Sequence, residues 1–236
     1  MSLALASRTW ILAGVGALGA VAFFVGLELE LPMLQLGAKA VPILCLLSWL
    51  WPARERYARL ISVGLVLSLI GDMLLGVSPD LFLPGLGAFL LAHIAYVAAY
   101  VTVTRLLNLE RGVPFALLGM GMGMFLWPRL GGLALPVTAY VAVICAMMWR
   151  SAALVNGGGL GRREQWAALV GALMFAASDA LLAIKLFVQP VPGSDYVIML
   201  LYWAGQLGIA FSARIDSISP SVPGPAPSPA TGGPMK

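Results

Sequence analysis

The sequence predicts an all-α fold: a polytopic membrane helix bundle of eight transmembrane helices with both termini in the cytosol. Three observations predict it. Of 236 residues, 61% are hydrophobic and 10% charged, with a mean hydropathy of +0.95, whereas soluble domains run near about 50% apolar and about 25% charged. The apolar residues fall into runs close to the roughly 17 to 25 needed to cross a bilayer. These runs lack the alternation of barrel strands, so helices must satisfy their backbone polar groups. Finally, the basic residues gather in alternate links between the runs.

The runs occupy residues 10–27, 32–51, 57–76, 83–104, 113–127, 131–149, 165–188 and 195–213. Arg8 ahead of the first gives it the look of a signal peptide, but the run is longer than a secretory core and is expected to stay in the mature protein. The fifth is short and ends at Trp127-Pro128, which makes it the weakest of the eight. Arg8, Arg54, Arg56, Arg59, Arg105, Arg111, Arg150, Arg162, Arg163, Arg214 and Lys236 all fall on one side of an eight-helix serpentine. The other side holds only Arg129, with Lys39 and Lys185 inside runs, and the positive-inside rule sends both termini to the cytosol. Residues 1–214 form the bundle. Residues 215–236, rich in Pro, Ser and Gly, read as a disordered tail.

Several functions are excluded. The net charge of +4 is spread through the links rather than gathered in a patch, so no nucleic-acid partner is expected. Cys45 and Cys145 sit inside runs without paired spacing and read as small buried hydrophobes. Asn156 to Gly161 resembles a phosphate-binding loop but lacks the following Lys-Ser or Lys-Thr and a preceding strand, so it reads as a flexible link. Gly119 to Met124 has small-xxx-small spacing suited to close helix packing.

What remains is a layer of polar residues at one depth. Ile70-Gly71-Asp72-Met73-Leu74-Leu75-Gly76 is echoed by Ala177-Ser178-Asp179-Ala180-Leu181-Leu182-Ala183, which suggests a parallel internal duplication. Asp72 lies roughly 22 Å and Asp179 roughly 21 Å along their helices at 1.5 Å per residue. Lys39, His93, Tyr140, Tyr202 and Gln206 come to a similar level from the helices that run the other way. A carboxylate in hydrocarbon costs about 2.5 to 3.5 kcal/mol on insertion scales, so intramembrane charges point to function by default. Plainer readings exist: either aspartate could be structural, paired to Lys39; Lys39 could snorkel; His93 could be a satisfied core histidine; the tyrosines and Gln206 could bridge helices. Glu28 and Glu30 fit a solvated turn. A single histidine cannot furnish the three-ligand site of a zinc hydrolase, and no cofactor or metal is expected.

The ordered set of motifs resembles the lysoplasmalogenases, the YhhN-like membrane family. It comprises Lys39 with Pro42 (two residues intervening where the family often has them adjacent), Gly71-Asp72, Gly87-x-Phe89-x3-His93-x2-Tyr96, Tyr140 with Met147 or Met148, Gly171-x3-Phe175-x2-Ser178-Asp179, and Tyr202-x3-Gln206. The resemblance implies a hydrolase that cleaves the vinyl ether bond of lysoplasmalogens, releasing a fatty aldehyde and glycerophosphoethanolamine or glycerophosphocholine. It makes 1–214 a catalytic domain, the membrane its setting (a plasma membrane by default, the inner one in a prokaryote), and a lysophospholipid its partner. It also implies Asp72 and Asp179 as the catalytic centre, with Lys39, His93, Tyr140, Ser178, Tyr202 and Gln206 binding or supporting.

The chemistry suits two carboxylates. Protonating the outer alkene carbon leaves an oxocarbenium ion, which water attacks. Two carboxylates close together in low dielectric cannot both ionise readily, so one can serve as acid while the other stabilises the cation and activates water. The sequence does not distinguish them. An intramembrane aspartyl protease, a proton-coupled transporter and a non-catalytic lipid-binding scaffold are the competing readings. The protease is disfavoured by Leu69, where that family has a glycine before its Gly-Asp pair.

Overall fold

The computed structural model describes residues 2–214; the expected tail at 215–236 lies outside them. Eight helices follow one another: α1 (Ser2–Glu28), α2 (Pro32–Leu50), α3 (Arg56–Val77), α4 (Phe82–Val103), α5 (Leu109–Leu130), α6 (Ala134–Leu154), α7 (Arg162–Phe187) and α8 (Ser194–Phe211). There is no strand among the described residues. Local chemistry sets several boundaries. Pro32 starts α2 at a position where its missing N–H costs nothing. Ser78 accepts a hydrogen bond from the Asp80 backbone N–H and seeds the 3₁₀ turn Pro79–Leu81 that leads into α4. Gly193, at φ +71°, supplies the left-handed residue before α8.

Among the described residues, six segments are long and apolar enough to cross a membrane, and the chain is an integral, multi-pass membrane protein. The sequence expects eight, and the two counts part at α5–α6 and at α8. The fifth segment, Leu109–Leu154, holds both α5 and α6, joined through the 3₁₀ turn Gly131–Leu133. Helix α8 is short and carries Asp195, Tyr196, Tyr202 and Gln206, which dilute its apolar content. Helix α5, the weak element in the sequence, is a full 22 residues and runs through Pro114 and Pro128. Each proline removes one intrahelical hydrogen bond without ending the helix.

Helices pack as consecutive hairpins, α1 on α2, α3 on α4, α5 on α6 and α7 on α8, with α2 on α3, α6 on α7 and α4 on α6. Helix α8 reaches back to α2 and α3. Ile61, Leu65, Tyr96, Tyr100, Met147 and Phe175 are wholly buried in the central core. Leu117, Met120 and Met124 leave the outer face of α5 bare, as a lipid-facing surface requires. The closest approach is between α7 and α8: a Cβ on Gly171 would lie 2.7 Å from the Gly205 carbonyl oxygen, nearer than real Cβ contacts allow. Small residues permit this backbone contact where no hydrophobic effect draws helices together.

Arginines also do structural work at their end of the bundle. Arg111 donates to the carbonyls of Ala152 and Val155 at 2.8 and 2.6 Å. Arg150, only 4% exposed, donates to those of Leu106 and Thr104 at 2.7 and 2.5 Å. These contacts satisfy carbonyls released at the C-terminal ends of α4 and α6.

Candidate active site

A cavity of about 660 Å³ opens between α2, α3 and the α5–α8 half of the bundle, and Lys39, Asp72, Tyr140, Ser178, Asp179 and Tyr202 all line it. Its remaining wall is largely aliphatic, including Leu118, Met122, Ile144, Met148 and Leu173. The two aspartates expected at one depth therefore face one space.

Their surroundings differ. Asp72, on α3, accepts from Lys39 Nζ of α2 at 2.8 Å through Oδ1, with side-chain exposures of 4% and 17%; this pair is largely withdrawn from solvent. Its Oδ2 has no hydrogen-bond partner. The Tyr202 hydroxyl of α8 faces Asp72 and Gln206 yet completes no hydrogen bond to either. Asp179, on α7, accepts a hydrogen bond from the Tyr140 hydroxyl of α6. Behind it stands His93 of α4, with Nε2 3.9 Å from Asp179 Oδ2. The other ring nitrogen, Nδ1, is 2.6 Å from the Phe89 carbonyl oxygen; a carbonyl can only accept, so Nδ1 carries hydrogen and Nε2 is turned towards the carboxyl group. Each aspartate thus meets one side chain from its neighbouring even-numbered helix and one from the other half of the chain. Lys39 and Tyr202 serve Asp72; Tyr140 and His93 serve Asp179.

Not every residue of the expected layer reaches the cavity. His93 and Gln206 are fully buried and stand behind its wall, where His93 packs edge-on to Tyr140 and Phe175 at 5.2 and 4.7 Å. Ser178 donates its hydroxyl to the Ile198 carbonyl at 2.9 Å and bridges α7 to α8. Gln206 Oε1 accepts from the Tyr96 hydroxyl at 2.7 Å. Tyr96 is a neighbour that the polar layer did not include, although its place three residues after His93 puts it on the same helical face. Asp195 lines the outer mouth of the cavity and is bridged by Lys185 at 2.5 Å. Neither of these two stood out, since a charge near a helix end is ordinarily a solvated one.

Comparison with known proteins bears on this arrangement. Residues 34–213 match the YhhN family, a span that includes every residue named above as lining the site. The chain belongs to the YhhN family. Among relatives, human lysoplasmalogenase TMEM86B is 37% identical over 180 residues, covering 74% of this chain and 73% of its own. Bovine lysoplasmalogenase TMEM86A is 36% identical over 193 residues, covering 77% and 78%. The lysoplasmalogenase of Mycobacterium bovis is 30% identical over 214 residues, covering 83% and 78%. No solved structure matches. Within this YhhN chain, the cavity is the feature that joins the polar layer to an apolar wall.

Proposed function

We propose that this YhhN protein is a membrane lysoplasmalogenase that hydrolyses the vinyl ether bond of lysoplasmenyl-ethanolamine or lysoplasmenyl-choline, with residues 1–214 as its catalytic domain. The observation that carries the reading is one cavity with two carboxylates in unlike settings and an aliphatic wall beyond them. Similarity to proteins named lysoplasmalogenases over most of the chain supports it.

The settings divide the roles. Lys39 compensates a negative charge on Asp72, which makes Asp72 the anion of the pair. Asp179 is met by a hydroxyl and an imidazole rather than an ammonium group, which makes it the proton carrier. In the first step the Asp179 O–H proton passes to the outer alkene carbon, and the electrons of the double bond leave an oxocarbenium ion. Asp72 stabilises that cation across the cavity. Water held by the unpartnered Asp72 Oδ2 attacks the cationic carbon and loses its proton to Asp72. The resulting hemiacetal collapses to the aldehyde as its hydroxyl proton moves to the departing glycerol oxygen. Tyr140 orients Asp179, and His93 fixes it from behind. Tyr202 and Gln206 hold the Asp72 side, while Ser178 keeps α7 against α8.

The alkenyl chain would occupy the aliphatic wall between α5, α6 and α7. The glycerophospho headgroup would sit towards the mouth, where Lys185 and Asp195 offer one charge of each sign to a zwitterion. The topology that fits is eight crossings with both termini cytosolic, supported by the arginines at one end, in a plasma membrane. Incubating purified protein with lysoplasmenyl-ethanolamine tests the reading. Time-dependent fatty aldehyde with equimolar glycerophosphoethanolamine is the expected result; lipid bound or transported but left intact would overturn it.

A further inference from the structure

Five of the buried side-chain atoms that lack a hydrogen-bond partner are Asp72 Oδ2, His93 Nε2, Tyr100 Oη, Tyr202 Oη and Gln206 Nε2. Buried polar atoms left unpaired are costly, so several in one region require a common explanation. Apart from His93 Nε2, which faces Asp179, they lie along a single seam between α3, α4 and α8. From the site, the seam passes from Asp72 to Tyr202 and Gln206. Gln206 accepts from Tyr96 at 2.7 Å, and Ser68 Oγ stands 3.4 Å from the same Tyr96 hydroxyl. One helical turn further along α4 is Tyr100, whose ring centre is 6.3 Å from that of Tyr57 on α3. Tyr57 shares a hydrogen bond of 2.7 Å with Ser212. Ser212 commits its own hydrogen to the Ile209 carbonyl at 2.6 Å, so Tyr57 is the donor. Tyr57 and Ser212 stand beside Arg56 and Arg214, at the arginine-rich end of the bundle.

We propose that this seam is a chain of internal waters and hydroxyl groups connecting the carboxylate cavity to the arginine-rich end. Its ligand is water, and its role is to supply the hydrolytic water and to exchange protons with the site. The inference rests on the hydrolase reading, which creates the need. Each turnover consumes one water and moves one proton from Asp179 to Asp72, so the pair must be reset before the next. During reaction the alkenyl chain fills the aliphatic wall of the cavity and the headgroup fills the charged end at Lys185 and Asp195, whereas the seam is polar and stays clear of both. A buried water makes about three hydrogen bonds; the unpartnered atoms of Tyr202, Gln206 and Tyr100, with the second lone pairs of Tyr96 and Tyr57, supply such partners along the whole length.

Radiolytic hydroxyl labelling of the full protein in lipid nanodiscs tests the seam without reference to activity, because radicals form from internal water at the side chains it touches. Tyr96 and Tyr100, both wholly buried, are expected to label well above Ile43 and Leu126, which are equally buried but off the seam, after correction for intrinsic reactivity. Labelling of the two tyrosines at the level of those controls would overturn the proposal. Tyr100→Phe keeps the ring and removes the hydroxyl. It is expected to reduce labelling at Tyr96 and to lower kcat roughly tenfold with KM unchanged. An unaltered kcat with unaltered labelling would also overturn the seam. Absence of aldehyde from the unmodified protein, with Tyr96 and Tyr100 labelled, would instead sink the hydrolase reading and leave the water chain standing.

Discussion

Lys39 Nζ lies 2.8 Å from Asp72 Oδ1, while Asp179, in the same cavity, is met by Tyr140 and His93. Two aspartates that look alike in sequence are thereby made unlike. Removing one member of a buried ion pair costs about 3 to 5 kcal/mol where burial is complete, more than removing both. Lys39→Met is therefore expected to lower thermal stability and abolish most activity. The double variant Lys39→Met with Asp72→Asn should recover stability, measured by unfolding in detergent, without recovering aldehyde release.

Tyr140 donates to Asp179 and lines the cavity. Tyr140→Phe preserves the ring and its packing against His93. Loss of a hydrogen bond to an acidic group is worth about 1.5 to 3 kcal/mol, so kcat should fall roughly 10- to 100-fold while KM changes little. Steady-state kinetics on lysoplasmenyl-ethanolamine will measure both.

At the α7–α8 contact backbone meets backbone. At Gly171 a Cβ would meet the Gly205 oxygen and the Ile209 nitrogen at 2.7 Å, backbone atoms that cannot rotate away. Gly171→Ala is expected to destabilise by about 1 to 3 kcal/mol, and Gly171→Val by more. Both move Asp179 relative to Tyr202, so activity should fall further than the unfolded fraction explains.

Proton transfer to carbon leaves a chemical record. In deuterium oxide, aldehyde trapped during turnover should carry one deuterium on the carbon next to the carbonyl, as read by mass spectrometry. A product without it would mean that the hydrogen reaching that carbon does not come from a solvent-exchangeable acid, which contradicts delivery by Asp179.

Much of this organisation was legible in the chain. Asp72 and Asp179 stood out because ionisable groups are rare in apolar runs, and helical rise alone put them at one depth. Tyr140 and Tyr202 joined them by the same arithmetic. What rise cannot supply is rotation about the helix axis and the partner each side chain finds. For that reason the sequence left Lys39 between snorkelling, pairing and a binding or supporting role, and kept His93 and Gln206 in the layer without showing that they stand behind the wall. Helix α5 looked short because prolines are strong end signals in water; within a bundle its bond pattern tolerates Pro114 and Pro128. The Tyr57–Tyr100–Tyr96 seam was hidden for a different reason. Tyrosines are ordinary at helix ends and in cores, and only their alignment across α3, α4 and α8 distinguishes them.

The most direct measurement is aldehyde release by purified Asp179→Asn and Asp72→Asn, each checked for native unfolding behaviour. An amide keeps the shape of the carboxyl group but can neither deliver the acid proton nor take up the proton from water. Roughly a thousandfold loss or more in kcat for both variants is the expected result. Near-normal release from either, in folded protein, would contradict the two-carboxylate mechanism.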